Sequence, residues 1–227
     1  MAQFNKLEVL QTINSTGMVP VFYHSDTEVA KQVLKACYDG GVRVFEFTNR
    51  GDFAADVFAE LVKFARTECP EMILGVGSIT EPYSAALFLQ YGANFVVAPY
   101  LNPEVARLCN RHLVPYTPGC GSATEVGQAH ELGCDLVKIF PAGCVGGPAF
   151  VKNIKGPLPR TNIMVTGGVE PTIENLTSWF KSGVNCVGIG SQLFTKEMIA
   201  AKNWTAITSA CSQALEIIKT LKGTSKS

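Results

Sequence analysis

Within Asp135-Leu-Val-Lys-Ile-Phe-Pro141 an amine, Lys138, interrupts an apolar run that a proline then ends. This is the pattern of a lysine buried near the end of a core strand. An ammonium group leaves water at high cost, so such a position needs either an ion-pair partner or a use for the amine itself. Desolvation favours proton loss below the model value of about 10.4, which makes the amine a nucleophile able to form a Schiff base with a keto compound. Structural ion-pair networks also hold buried lysines, and at this point both readings stand.

Other residues converge on the same chemistry. Side chains two apart on a strand share a face, so Val44, Glu46 and Thr48 point one way, as do Leu136, Lys138 and Phe140. Glu46 facing Lys138 across a closed sheet would be either a buried ion pair or an acid/base partner for the amine. Arg50 follows in the next loop, where its guanidinium would suit a substrate carboxylate or simply face solvent. Gly167-Gly168 and Gly190-Ser191 offer backbone N–H groups to a phosphate, or else satisfy turn geometry alone. His24, His112 and His130 lack metal-ligand spacing. His24 reads as a loop residue close to the rim, and nothing here calls for a metal or a cofactor.

These residues need a scaffold, and the glycines announce it. Gly40-Gly-Val-Arg-Val-Phe-Glu-Phe, Gly92-Ala-Asn-Phe-Val-Val-Ala-Pro, Gly133-Cys-Asp-Leu-Val-Lys-Ile-Phe and Gly183-Val-Asn-Cys-Val-Gly-Ile-Gly each place a helix-ending glycine before a short apolar run. With the runs between them, eight strands are expected near 18–22, 42–47, 72–76, 95–98, 113–117, 136–140, 162–166 and 186–189. Helix starts are expected at Ser25 or Asp26, Glu81-Pro82, Asn102-Pro103, and Ser122 or Thr124. Eight alternating units favour an α/β fold of the (β/α)8 TIM-barrel type over an open doubly wound sheet. The barrel would span residues 1–227 as a single domain, with a polar tail from Lys219 to Ser227 expected to fray. In such a barrel the active site lies where strands end, and the polar residues concentrate there.

Composition narrows the partners. Lys and Arg number 19 against 19 Asp and Glu, so no net field draws nucleic acid. The first ten residues lack a signal pattern and no run approaches ~18 apolar residues, which argues for a cytoplasmic protein without membrane contact. The eight cysteines show no C-x-x-C pair and read as reduced core residues.

Taken together, Gly41-Val-Arg-Val-Phe-Glu-Phe-Thr-Asn-Arg50, Gly75-Val-Gly-Ser78, Lys138-Ile-Phe-Pro141, Thr166-Gly-Gly168 and Gly190-Ser191 resemble, in order and spacing, the class I aldolases for 2-keto-3-deoxy-6-phosphogluconate (KDPG) and 4-hydroxy-2-oxoglutarate (KHG). The resemblance spans nearly the whole chain. It implies that Lys138 forms the Schiff base at the substrate's C2 ketone and that Glu46 shuttles protons. It further implies that Arg50 and Ser78 hold the carboxylate of the pyruvate half, and that Pro99 and Phe140 line the imine. Thr166, Gly167, Gly168, Gly190 and Ser191 would contact the rest of a phosphorylated 2-keto acid, with Gly167, Gly168 and Ser191 on the phosphate. Pyruvate and glyceraldehyde 3-phosphate would be the products, and a homotrimer the assembly. Two positions depart from the family: Ser78 stands where Thr is usual, and Tyr100 where Gly is frequent. The substrate's length and C4 stereochemistry therefore stay open, with KHG or the galactonate epimer as alternatives to KDPG.

Two other functions fit the same residues. An isomerase or epimerase for a phosphosugar would use Glu46 and Lys138 for proton transfer without an imine. A non-catalytic sensor of a phosphorylated sugar acid would keep Lys138 only as the counter-ion of Glu46.

Overall fold

Helices begin where the sequence offers caps. Asp26 accepts from the backbone N–H groups of Glu28 and Val29 at the start of α2 (Thr27–Asp39). Glu81, Asn102 and Ser122 do the same for α4 (Pro82–Gln90), α5 (Pro103–Arg111) and α6 (Ala123–Glu131). Each side-chain oxygen takes an N–H that a first turn leaves unpaired, and the two prolines sit where a missing N–H costs nothing. After α4, α6 and α8 (Ile173–Lys181), Gly92, Gly133 and Gly183 adopt φ of +100°, +76° and +99°. That left-handed turn sends the chain back into the sheet and is cheap only for glycine.

The computed structural model describes residues 2–224. Its strands are β1 (Met18–Phe22), β2 (Val44–Thr48), β3 (Ile73–Gly77), β4 (Val96–Val97), β5 (Tyr116–Thr117), β6 (Gly119–Cys120), β7 (Val137–Ile139), β8 (Ile163–Thr166) and β9 (Cys186–Ile189). They pair in parallel in the order β5-β4-β3-β2-β1-β9-β8-β7-β6. β5 and β6 are two halves of one strand broken at Pro118, which has no N–H to give a ladder. One half pairs with β4 and the other with β7, so the ring closes through the chain itself. The fold is a (β/α)8 barrel. All eight expected strands are present; the first and last keep their expected bounds, the second and third begin later and run one residue further, to Thr48 and Gly77, the fourth, sixth and seventh are shorter, and the fifth begins at Tyr116, is split and reaches Cys120.

Inward positions form two storeys. In the lower one Val19, Val44, Ile73, Phe95, Val97, Leu136, Met164 and Cys186 make a dry cluster, with Val9 and Ile13 of α1 (Lys6–Thr16) packed into it. The sequence reading contained no helix before Met18. It forms because Asn5 and Glu8 make a reciprocal capping box and Gly17 ends it at φ +73°. A larger cluster joins the outward faces of the strands to α2, α3 (Ala54–Glu68) and the other helices.

At the C-terminus, α10 (Trp204–Thr224) packs on α2 and α8, and Thr208 Oγ1 donates to the carbonyl of Ala36 at 3.0 Å. Gly40 permits that approach: a Cβ there would lie 2.6 Å from the Thr208 carbonyl oxygen. The helix runs past Lys219, where the polar tail was expected to begin, and continues to Thr224. Ile218 is buried, and Lys222 Nζ donates to the Asn185 carbonyl at 2.8 Å while lying 5.5 Å from the Phe180 ring centroid. Residues 225–227 of that tail lie outside the described residues. Seven of the cysteines are buried thiols, and Cys144, in the loop after β7, is exposed. Among the described residues no helix is long and apolar enough to cross a membrane.

Candidate active site

The upper storey begins one inward position above the dry cluster. Lys138, in the middle of β7, pairs with Gly119 on one side and Met164 on the other, and its backbone N–H donates to the Pro118 carbonyl at 2.8 Å. Its side chain is 5% exposed, with Nζ 4.7 Å from the centroid of the Phe140 ring on the same face. Burial lowers the pKa of the amine; Glu46 opposes the shift and Arg50 adds to it. The amine is thus held toward its nucleophilic form, while the ring's π face steadies its charged form.

Glu46 occupies the matching height on β2 and is 2% exposed. Burial raises its pKa, against the pull of Lys138 and Arg50. Its seat is cut by glycine: a Cβ on Gly77 would lie within bonding distance of the carboxylate, 1.8 Å from Oε1. No ion pair at or below 4.0 Å joins Glu46 to Lys138 among the described residues, and Glu46 Oε2 is buried without a hydrogen-bond partner. A buried, unpartnered carboxylate oxygen is costly and marks an acceptor kept available for a proton. The two groups interact through space, each moving the other's titration.

Around them stands the rim. Arg50 is exposed, and its Nε donates to Ser78 Oγ at 3.2 Å, so the loops after β2 and β3 meet there. Ser78 has φ +60°, a conformation that a β-branched residue adopts at greater cost than serine. Pro99 approaches so closely that a Cβ on Gly119 would lie 2.0 Å from its carbonyl oxygen. Tyr100, half exposed, spends its hydroxyl on the Thr80 carbonyl at 3.2 Å and so bridges the loops after β3 and β4.

Thr166 ends β8 with its Oγ1 buried and unpartnered, in space left by Gly188, where a Cβ would lie 2.5 Å away. Gly167 and Gly168 follow at φ +89° and +80°. Their carbonyls are occupied, Gly167 by the Gly143 N–H at 2.9 Å and Gly168 by Asn175 Nδ2 at 3.2 Å and Trp179 Nε1 at 3.3 Å. The Gly190 carbonyl accepts from Leu193 N–H at 2.9 Å, turning the chain so that Ser191 stands exposed.

Glu46, Arg50, Ser78, Pro99, Lys138, Phe140, Thr166, Gly167, Gly168, Gly190 and Ser191 thus lie in the middle or last part of their strands or in the loops that follow, whereas His112 and His130 lie at the C-terminal ends of α5 and α6. Two direct side-chain contacts, Arg50–Ser78 and Lys138–Phe140, join members of the set. Thr48 and Thr117, both buried at the strand ends, were not among the site residues. The two-residue alternation already put Thr48 on the Glu46 face, whereas the break at Pro118 hid Thr117. Among the described residues no three of His, Cys, Asp and Glu gather as a metal site. A groove of about 690 Å³ at the opposite end, between α1, α2 and α10, contains none of these residues.

A (β/α)8 barrel with a desolvated lysine near a strand end and a carboxylate across from it belongs to the class of barrels built for amine chemistry at the C-terminal face. The chain is a member of the KDPG and KHG aldolase family, whose model matches residues 9–210. It is 31% identical over 212 residues to a 2-dehydro-3-deoxy-phosphogluconate aldolase of Treponema pallidum, covering 93% of this chain and 98% of that one. It is 31% identical over 207 residues to the KHG/KDPG aldolase of Escherichia coli K12, covering 91% and 94%. Among solved structures, a KDPG aldolase from Legionella pneumophila, with pyruvate captured as a covalent carbinolamine, superposes with a TM-score of 0.81 at 27% identity over 89% of this chain and 96% of that one. A Zymomonas mobilis KDPG aldolase with 3-phosphoglycerate gives 0.76 at 25% identity, covering 91% and 94%.

Proposed function

We propose that this protein is a class I aldolase, a carbon–carbon lyase that cleaves KDPG to pyruvate and glyceraldehyde 3-phosphate. The observation that carries it is the desolvated amine of Lys138, beyond contact range of an unpartnered Glu46. A counter-ion role alone would bring the two charges together.

The neutral Lys138 amine adds to the C2 ketone, and the resulting carbinolamine loses water to give a protonated imine. Glu46 then takes the proton of the C4 hydroxyl. The C3–C4 bond breaks, its electron pair flows into the imine to form an enamine, and the aldehyde leaves. Returning the proton to C3 regenerates the imine, and hydrolysis frees pyruvate and the amine. Arg50 and Ser78, already joined, present donors to the carboxylate, while Phe140 and Pro99 wall the imine. Thr166 offers a hydroxyl to the hydroxylated chain, and Gly167, Gly168, Gly190 and Ser191 form the phosphate end. The assembly is a homotrimer working in the cytoplasm; support for both is the family membership.

The test is pyruvate release from KDPG, its galactonate epimer and KHG, followed by coupled NADH oxidation. Cleavage fastest with KDPG supports the proposal. Binding of a sugar acid without pyruvate release would overturn it.

A further inference from the structure

His24 remains outside the chemistry described so far, yet its placement is specific. A cavity of about 570 Å³ opens on the same mouth between the ends of β1, β2 and β9 and the short helix α9 (Lys196–Ala200). Its polar wall is His24, Thr48, Arg50, Ser191 and Lys196. Phe22, Phe194 and Ile199 add apolar lining. The cavity wall carries two cations and no carboxylate, so an oxygen-rich, anionic guest is matched and a cationic one is not.

His24 is fixed in two ways. Its Nδ1 accepts the backbone N–H of Asp26 at 3.0 Å, and its ring stacks on Phe22 with centroids 6.3 Å apart and planes 9° apart. An imidazole whose Nδ1 accepts a hydrogen bond carries its proton on Nε2. With Nδ1 so engaged, Nε2 is left as the ring's donor, on a residue that lines the cavity. A solvated loop histidine would need neither constraint.

We propose that this cavity takes the aldehyde half of the substrate, and that His24 is a specificity-determining residue whose Nε2–H donates to a hydroxyl of that half. Ser191, assigned above to the phosphate end, also lines this cavity, so a phosphorylated hydroxyaldehyde held there would have its hydroxyl-bearing carbons along the same wall as His24. A two-carbon acceptor such as glyoxylate carries no hydroxyl for His24 to meet. The inference rests on the aldolase reading and adds to it the residue that measures the acceptor.

The experiment is pyruvate addition to D-glyceraldehyde 3-phosphate and to glyoxylate by wild type, His24→Phe and His24→Gln. Borohydride trapping of the pyruvate imine is run alongside. Phe keeps the stacking and removes the donor; Gln places an amide N–H near the position of Nε2. His24→Phe is expected to lose about tenfold in kcat/KM with the phosphorylated aldehyde, mainly through KM, and under about twofold with glyoxylate. His24→Gln should recover most of the loss, and trapping should be unchanged in both variants. Equal losses on both aldehydes, no loss in His24→Phe, slower trapping in the variants, or a wild type indifferent to the two aldehydes would each overturn the inference. Failure of the aldolase reading shows separately, as absence of any adduct in wild type.

Discussion

The lower and upper storeys of the barrel come from the same strands, one inward position apart, a rise of about 6.6 Å. On β2, Val44 lies below Glu46; Leu136, just before β7, lies below Lys138; on β8, Met164 lies below Thr166. Both storeys use glycine to seat a large group. Gly75 makes room for the Phe95 ring, where a Cβ would lie 2.4 Å from it, and Gly77 makes room for the Glu46 carboxylate. Below, the guest is an aromatic ring with no polar group to satisfy. Above, it is a carboxylate with an unpartnered oxygen, whose cost the packing beneath must offset. One storey holds the barrel together and the next is left unsatisfied for chemistry.

Substitutions should separate the two storeys. The largest effect is expected from Lys138→Met, with turnover falling on the order of 10⁴-fold or more in steady-state assays while the melting temperature does not fall, because a buried amine is replaced by an apolar chain of similar length. A variant with lowered melting temperature and residual turnover would blur the division. Next comes Glu46→Gln, for which kcat should drop about 10²- to 10⁴-fold with folding intact by calorimetry. Phe95→Ala reverses the pattern: roughly 3–5 kcal/mol of stability should be lost on denaturant titration, with kcat per folded molecule nearly unchanged.

The smallest effect is a shift in pH dependence. Glu46 raises the pKa of Lys138 while burial lowers it. Removing the carboxylate in Glu46→Gln deletes the raising influence, so the amine stays neutral to lower pH. The acid limb of pyruvate-imine formation should move downward. A limb displaced upward would mean that the two groups do not couple as described. For stability the sign is also fixed. The folded Lys138 binds its proton less readily than the unfolded chain does, so its burial contributes a penalty that fades as pH rises toward the ordinary lysine value.

Much of this division was legible in the sequence. The two-residue period put Glu46 on one face with Val44 and Thr48 and Lys138 with Leu136 and Phe140, and the four glycine joints with the apolar runs between them located all eight strands. Three features were not legible, for physical reasons. α1 contains Val9 and Ile13 among polar neighbours, a weak pattern whose meaning comes from the open barrel end it fills. Pro118 splits a strand, and only the pairing of each half with a different neighbour keeps it one wall. His24 gains significance from a hydrogen bond to its own turn and a ring beneath it, neither of which leaves a spacing signal.

The central claim, that the upper-storey amine is a covalent catalyst, is tested most directly by reducing the protein with borohydride in the presence of pyruvate and mapping the adduct by peptide mass spectrometry. A reduced pyruvyl group on Lys138, absent from Lys138→Met, is the predicted result. Folded wild-type protein that gives no adduct, or gives one at another lysine, would contradict the claim.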